Sequence, residues 1–203
     1  MRQCKALLAV TMLMAWLAPR SPAQGESGTA GQESEIAPQR TTRITLGSTA
    51  ATPGTAVVVP IYFTPAEGVQ VESLELVVDF ISANLKFNRL DPGMAAEIGK
   101  VQVNAEVKQG KNERGVETST LTITAAMPAS PPPEKGIPPG LLGYLTMRLD
   151  GDARSASITL RTTAKASELK TNNPIQNLQV FESRVDVLEA GSQPMLACFF
   201  FTH

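Results

Sequence analysis

The chain has 203 residues, 42% of them hydrophobic and 18% charged, which is enough apolar surface for one core. Its 18 Lys and Arg nearly balance 19 Asp and Glu, so it carries no electrostatic footprint for nucleic acid. The only histidine is His203, which argues against a histidine triad, a histidine-ligated zinc site or a histidine general base.

The first segment reads as an address. Arg2 and Lys5 give a basic start, Ala6 to Ala18 an apolar run, and Ser21-Pro22-Ala23 a small-x-small cleavage site. This is the layout of a secretory signal, residues 1–23, and the apolar run is too short to span a membrane. Cleavage after Ala23 would remove three basic residues, the only Trp (Trp16) and Cys4. Cys198 would then be the single cysteine of an exported chain, with no internal disulfide to form. Residues 24–40 are small and polar, with little to bury, and predict a disordered spacer. The expected location is secreted, whether extracellular or periplasmic.

From Thr41 to residue 188 the dominant signal is period two, with frequent turn residues (15 Gly and 15 Pro in the whole chain). Arg43 to Leu46 alternates, and Gly47 to Gly54 is turn chemistry. Ala56 to Phe63 is β-branched and apolar. Its Pro60 predicts an edge or a bulge. In Val69 to Phe80, Leu74, Leu76, Val78 and Phe80 face one way, and Ser73, Glu75, Val77 and Asp79 the other. Leu85-Lys86-Phe87 is a short strand closed by Asp91-Pro92-Gly93. Val101 to Val107 alternates with Gln102, Asn104, Glu106 and Lys108, and Gly110 to Gly115 is a polar hairpin turn. Thr118 to Ala126 sets Leu121, Ile123 and Ala125 against Thr120, Thr122 and Thr124. Ala129 to Gly140 is a proline-rich surface connection. Leu141 to Leu149, Ser157 to Thr163, and Leu178 to Val187 with a kink near Glu182 complete the pattern. About nine strands and no convincing helix predict an all-β antiparallel sandwich, with jelly-roll topology favoured over a closed barrel.

Several of these segments, in this order, resemble cohesin-type modules. Thr45-Leu46-Gly47-Ser48, Pro53-Gly54 and Val57-Val58-Val59-Pro60-Ile61 are similar to the family's opening strand, Pro-Gly turn and V-P-V strand. Leu74-x-Leu76-x-Val78-x-Phe80 followed by Leu85-x-Phe87 resembles its alternating strand and "YDPxxLxF" corner. Gly140-x-Leu142-x-x-Leu145-x-Met147 resembles its later "G-x-L-x-x-L-x-F" strand. The resemblance runs from Thr41 to Val187. The corner departs from the pattern, with Phe80, Ile81 and Ser82 standing where the family has Tyr, Asp and Pro. The resemblance implies a nine-stranded jelly roll, related in architecture to cellulose-binding modules, that binds a dockerin or another protein in extracellular polysaccharide-degrading assemblies. In the family one sheet face meets the partner. Strand order places Ser73, Glu75, Gln102, Asn104, Thr120, Thr122, Thr159 and Arg161 on that face here.

The alternative is a carbohydrate-binding module of the same superfamily. Sugars stack on exposed rings, and beyond Trp16 the chain has only two Tyr, Tyr62 and Tyr144, while Phe63, Phe80, Phe87 and Phe181 sit in apolar patterns that read as core. No cofactor is expected. Asp150-Gly151-Asp152 offers two carboxylates on a turn, a weak calcium candidate with too few oxygen ligands nearby. Enzyme chemistry lacks a nucleophile-elbow motif, and the aromatics that line glycosidase clefts are scarce, so the expectation is a non-catalytic module. Residues 189–203 form a hydrophobic tail in which Met195 to Phe201 is apolar. It is an extra strand or plug, an exposed docking tail, or a bridge through Cys198 to another chain.

Overall fold

The computed structural model describes residues 40–130, 133–154 and 157–189. The expected signal, nearly all of the spacer, and the tail with Cys198 lie outside the described residues.

Eleven strands and one short helix follow in order: β1 (Thr42–Leu46), β2 (Thr49–Ala51), β3 (Ala56–Thr64), β4 (Val71–Phe80), β5 (Leu85–Pro92), α1 (Met94–Gly99), β6 (Gln102–Lys111), β7 (Glu117–Ala126), β8 (Gly140–Leu149), β9 (Ser157–Glu168), β10 (Leu178–Phe181) and β11 (Ser183–Val187). They form two sheets, a five-stranded one ordered β10-β1-β3-β8-β5 and a six-stranded one ordered β2-β11-β9-β4-β7-β6. The core is a single cluster between them. Ile44, Ile61, Phe63, Leu145 and Met147 come from one sheet, and Leu74, Leu76, Val78, Leu121, Ile123 and Leu160 from the other. The strands β3, β4, β7 and β8 bury close to every second residue, as the period-two pattern predicts, while the edge strand β6 buries none.

The strand count exceeds the expected nine at two places. The stretch read as a turn after Gly47 contains β2, whose three residues are too few to show a period. The kink expected near Glu182 is a full break: β10 belongs to the five-stranded sheet and β11 to the six-stranded one. Nor is the sandwich wholly antiparallel, since β1 pairs with β10 and β2 with β11 in parallel. Two neighbouring segments thus leave one sheet and enter the other side by side. At this crossing the buried Ser183 hydroxyl donates to the Gly47 carbonyl at 2.6 Å, and the Arg184 N–H donates to the Ser48 hydroxyl at 3.3 Å.

Pro60 sits in β3, an interior strand and not an edge. A bulge lies beside it, between Ile61 and Tyr62. The proline is tolerated because β1 ends at Leu46. Its nitrogen faces the turn beyond β1, where the Pro60 carbonyl accepts from the Gly47 N–H at 2.8 Å, so no ladder bond is lost. A Cβ on Gly47 would stand 2.7 Å from the Pro60 ring, which is why the chain crosses here on a glycine.

The helix α1 was not expected. It follows β5, which runs on to Pro92 through the expected Asp91-Pro92-Gly93 turn and leaves only Gly93 between strand and helix; α1 buries Ala95 and Ala96 beside β8, and leaves Met94 and Ile98 exposed. Six residues are too few to display a helical period. It ends at Lys100, which takes a left-handed conformation (φ 54°).

Candidate functional site

The outer face of the six-stranded sheet collects the residues that the sequence singles out. Cross-strand register across β6, β7, β4 and β9 gives four rows: Gln102–Ala126–Ser73–Ser167, Asn104–Thr124–Glu75–Lys165, Glu106–Thr122–Val77–Thr163, and Lys108–Thr120–Asp79–Arg161. Ser73 and Gln102 share the first row, Glu75 and Asn104 the second, and Thr122, Thr120 and Arg161 follow in the third and fourth. Thr159 lies on the same face, beyond β4, opposite Arg184 of β11. All eight side chains fall on one face because each occupies the phase of its strand opposite to the inward one, which holds buried leucines and isoleucines in β4, β7 and β9 and the half-buried Val103 and Ala105 in β6.

The face is polar and charge-balanced. Glu75 stands opposite Lys165 and Asp79 opposite Arg161, arrangements that stabilise neighbouring strands modestly. The Ser73 and Ser167 hydroxyls share a hydrogen bond at 2.6 Å, and Thr120 donates to the Asp79 carboxylate. Val77 is a half-buried apolar position in the middle of the third row. The sequence selection missed Val77, Asp79, Glu106, Lys108, Thr124, Thr163 and Lys165. The period-two signal contains all of the first five. Lys165 required knowing that β9 continues to Glu168, well past Thr163.

Of the two weak calcium candidates, Asp150 is otherwise engaged. The Asp150 carboxylate accepts from the Asp152 N–H at 3.0 Å and pairs with Lys86 at 3.4 Å. The Asp152 N–H first and the Lys86 side chain second hold the Asp150 carboxyl below its ordinary value of 3.8. Asp152 stays exposed on the turn. Among the described residues, no three potential metal ligands come together.

The aromatic residues correct one expectation. Phe63 and Phe80 are core and Phe87 packs against it, but Phe181 is 40% exposed. It belongs to the outer face of the five-stranded sheet, in one row with Thr45 and Tyr62. Tyr144, 37% exposed, is on the same face opposite Pro60.

No protein-family model matches this sequence, and no curated protein matches it. Solved structures do. The sixth cohesin of scaffoldin B from Acetivibrio cellulolyticus, solved with a Cel5 dockerin, is 13% identical and superposes with a TM-score of 0.54 over 73% of this chain and 99% of that one. This chain has the cohesin fold. A seventh ScaB type I cohesin from Pseudobacteroides cellulosolvens is 15% identical (TM-score 0.55; 80% of this chain and 98% of that one). A non-cellulosomal cohesin from the archaeon Archaeoglobus fulgidus is 16% identical (TM-score 0.51; 73% and 91%). The cohesin likeness expected from the sequence is thus met at the level of fold. No described helix is long and apolar enough to cross a membrane.

Proposed function

We propose that this protein is a secreted, non-catalytic binding module that docks a protein partner on the outer face of its six-stranded sheet. The observation that carries the proposal is the gathering of eight polar residues, chosen by strand phase, onto one continuous face of a cohesin fold. A preformed face of this kind binds by complementarity and hydrogen bonding, with no covalent step. The partner class is dockerin-like, because structures of the same fold include complexes with dockerins. The setting that accords with a leader at residues 1–23 is an extracellular assembly, with polysaccharide degradation as its context.

The test is affinity capture from the exported proteins of the source organism, using the whole chain, a bait ending at Leu188, and Glu75→Arg with Gln102→Arg. Retention of the same dockerin-like protein by the first two baits, and its loss from the folded double variant, is the expected result. Capture by the double variant at full strength would refute the face assignment. Capture by the whole chain alone would move the function to the tail.

A second reading rests on the exposed aromatics of the opposite sheet. Phe181 and Tyr144, with Tyr62 between their strands, present ring surface beside Thr45 and Thr146 hydroxyls, a composition suited to weak sugar binding. Retention on insoluble polysaccharide, lost in Tyr144→Ala, would favour it.

A further inference from the structure

A two-sheet sandwich has four strand edges, and an unprotected edge is a template for pairing with another chain. Three edges here are blunted. β2 has three residues and β10 four, while β5 carries a register shift between Phe87 and Arg89 and ends in Pro92. The fourth, β6, has none of these devices. It runs ten residues in unbroken register with β7, contains no proline, and has no described strand on its far side.

The hydrogen-bond phase of that free edge follows from the hairpin. Asn112, directly opposite Val116, donates its N–H to the Val116 carbonyl, so the even-numbered residues of β6 point their backbone groups at β7. The phase on the far side of β7 agrees: the odd-numbered Met127 N–H donates to Glu72 of the strand segment leading through β4. The N–H and C=O groups of Val103, Ala105, Val107, Gln109 and Lys111 are therefore directed at the open edge.

We propose that β6 pairs antiparallel with β6 of a second copy of this chain, about a two-fold axis at Val107. In this register Val107 meets Val107, Ala105 meets Gln109 and Val103 meets Lys111, all pairs of edge-directed residues, giving about ten new backbone hydrogen bonds. On the outer face Glu106 meets Lys108 of the second copy, twice by symmetry. Charge selects this register over its neighbours. Sliding by one permitted step sets Glu106 opposite Glu106 in one direction and Lys108 opposite Lys108 in the other, and like charges directly opposite are destabilising. Within the chain both residues face only threonines, Thr122 and Thr120, and among the described residues neither makes an ion pair. The inner side also gains. Val107 is 44% exposed and lines a crevice with Phe87, Lys86 and Ser119 between the open edges of the two sheets. Two-fold pairing brings the crevices of both copies together at the axis. The result is one continuous sheet of twelve strands, closed by an interface in which the same patch serves both partners.

The test is sedimentation equilibrium of the whole chain over a range from micromolar to millimolar, at low salt. The expected wild-type result is a reversible dimer. Glu106→Lys and Lys108→Glu, each placing like charges across the axis, weaken dimerisation at least tenfold, and the double swap restores it. Hydrogen exchange gives an independent check, with concentration-dependent protection at the amides of Val103, Ala105, Val107 and Gln109. A monomer throughout the range overturns the proposal. A dimer indifferent to the single swaps, or a double swap that fails to restore it in a folded protein, overturns the register.

Discussion

Removing the Ser183 hydroxyl tests whether the paired crossing between sheets is held by its polar staple. Ser183 is 2% exposed, and its hydroxyl donates to the Gly47 carbonyl at 2.6 Å. Ser183→Ala deletes a short hydrogen bond and leaves the carbonyl without that donor in a partly buried place. A net hydrogen bond contributes about 0.5–1.5 kcal/mol, and a buried group left unpaired costs about 1–3 kcal/mol. Alanine fits the space, so no overpacking offsets the loss, and the expected destabilisation is roughly 1–3 kcal/mol. A domain of this size shifts its melting temperature by about 2–4 °C per kcal/mol. Urea unfolding followed by circular dichroism should show a lower midpoint at unchanged slope, because the variant exposes no new surface in either state. Ser48→Ala is the companion. Its hydroxyl accepts from the Arg184 N–H at the longer distance of 3.3 Å, so its own effect should be smaller, and the two together should be non-additive. A Ser183→Ala variant within about 0.5 kcal/mol of wild type, the range of ordinary surface changes, would refute the reasoning. The crossing would then be held by strand pairing alone.

Other expectations follow from the same geometry. Leu76→Ala, at a fully buried site of β4 in the middle of the six-stranded sheet, should cost about 2–5 kcal/mol by denaturant titration. Gly93→Ala would put a Cβ 2.4 Å from the Leu141 carbonyl oxygen, a backbone atom that cannot swing aside, so it should lower the melting temperature although Gly93 has an ordinary negative φ (−99°). Glu75→Arg should leave stability within about 1 kcal/mol, since only the cross-strand pair with Lys165 is lost, while reducing partner capture. Asp150 contributes a pH-dependent increment. Its folded carboxyl lies below the ordinary 3.8, so the stabilisation is present above that value and is lost as the pH falls through the folded one. Because the group is solvent-accessible the increment is small, and Asp150→Asn should lower stability slightly near neutrality and converge with wild type in acid, which flattens the acid side of the profile.

The parts of the fold that the sequence revealed are those where burial repeats. Leu74, Leu76, Val78 and Phe80, or Leu121, Ile123 and Ala125, alternate for long enough to fix both strand and face, and the candidate face was legible as their complement. What stayed hidden depends on tertiary placement. β2 is held by β11, a partner more than 130 residues away, and no local pattern announces it. Phe181 looks like core beside Val180 and Leu178, yet the parallel pairing with β1 puts it in the outward row with Thr45. Residue type alone pointed to burial, and register decided otherwise. Pro60 shows the same limit: its presence in an interior strand became explicable only when the end of β1 at Leu46 was seen beside it. The eight chosen face residues share one surface, but the extent of that surface was set by β9 running on to Glu168.

The two parallel pairs also bear on how the fold would respond to stretching. The first strand and the last belong to a path in which β1 runs parallel beside β10 and β2 parallel beside β11. Tension applied between Thr42 and Val187 therefore drags each pair lengthwise past itself. The backbone bonds of both pairs must then yield together, whereas a hairpin pulled at its open end unzips one bond at a time. Ser183 and Gly47 sit at the junction of the two pairs, so their bond resists the same sliding. Resistance of the fold to such stretching is therefore set by its two shortest strands and the strands they lie against.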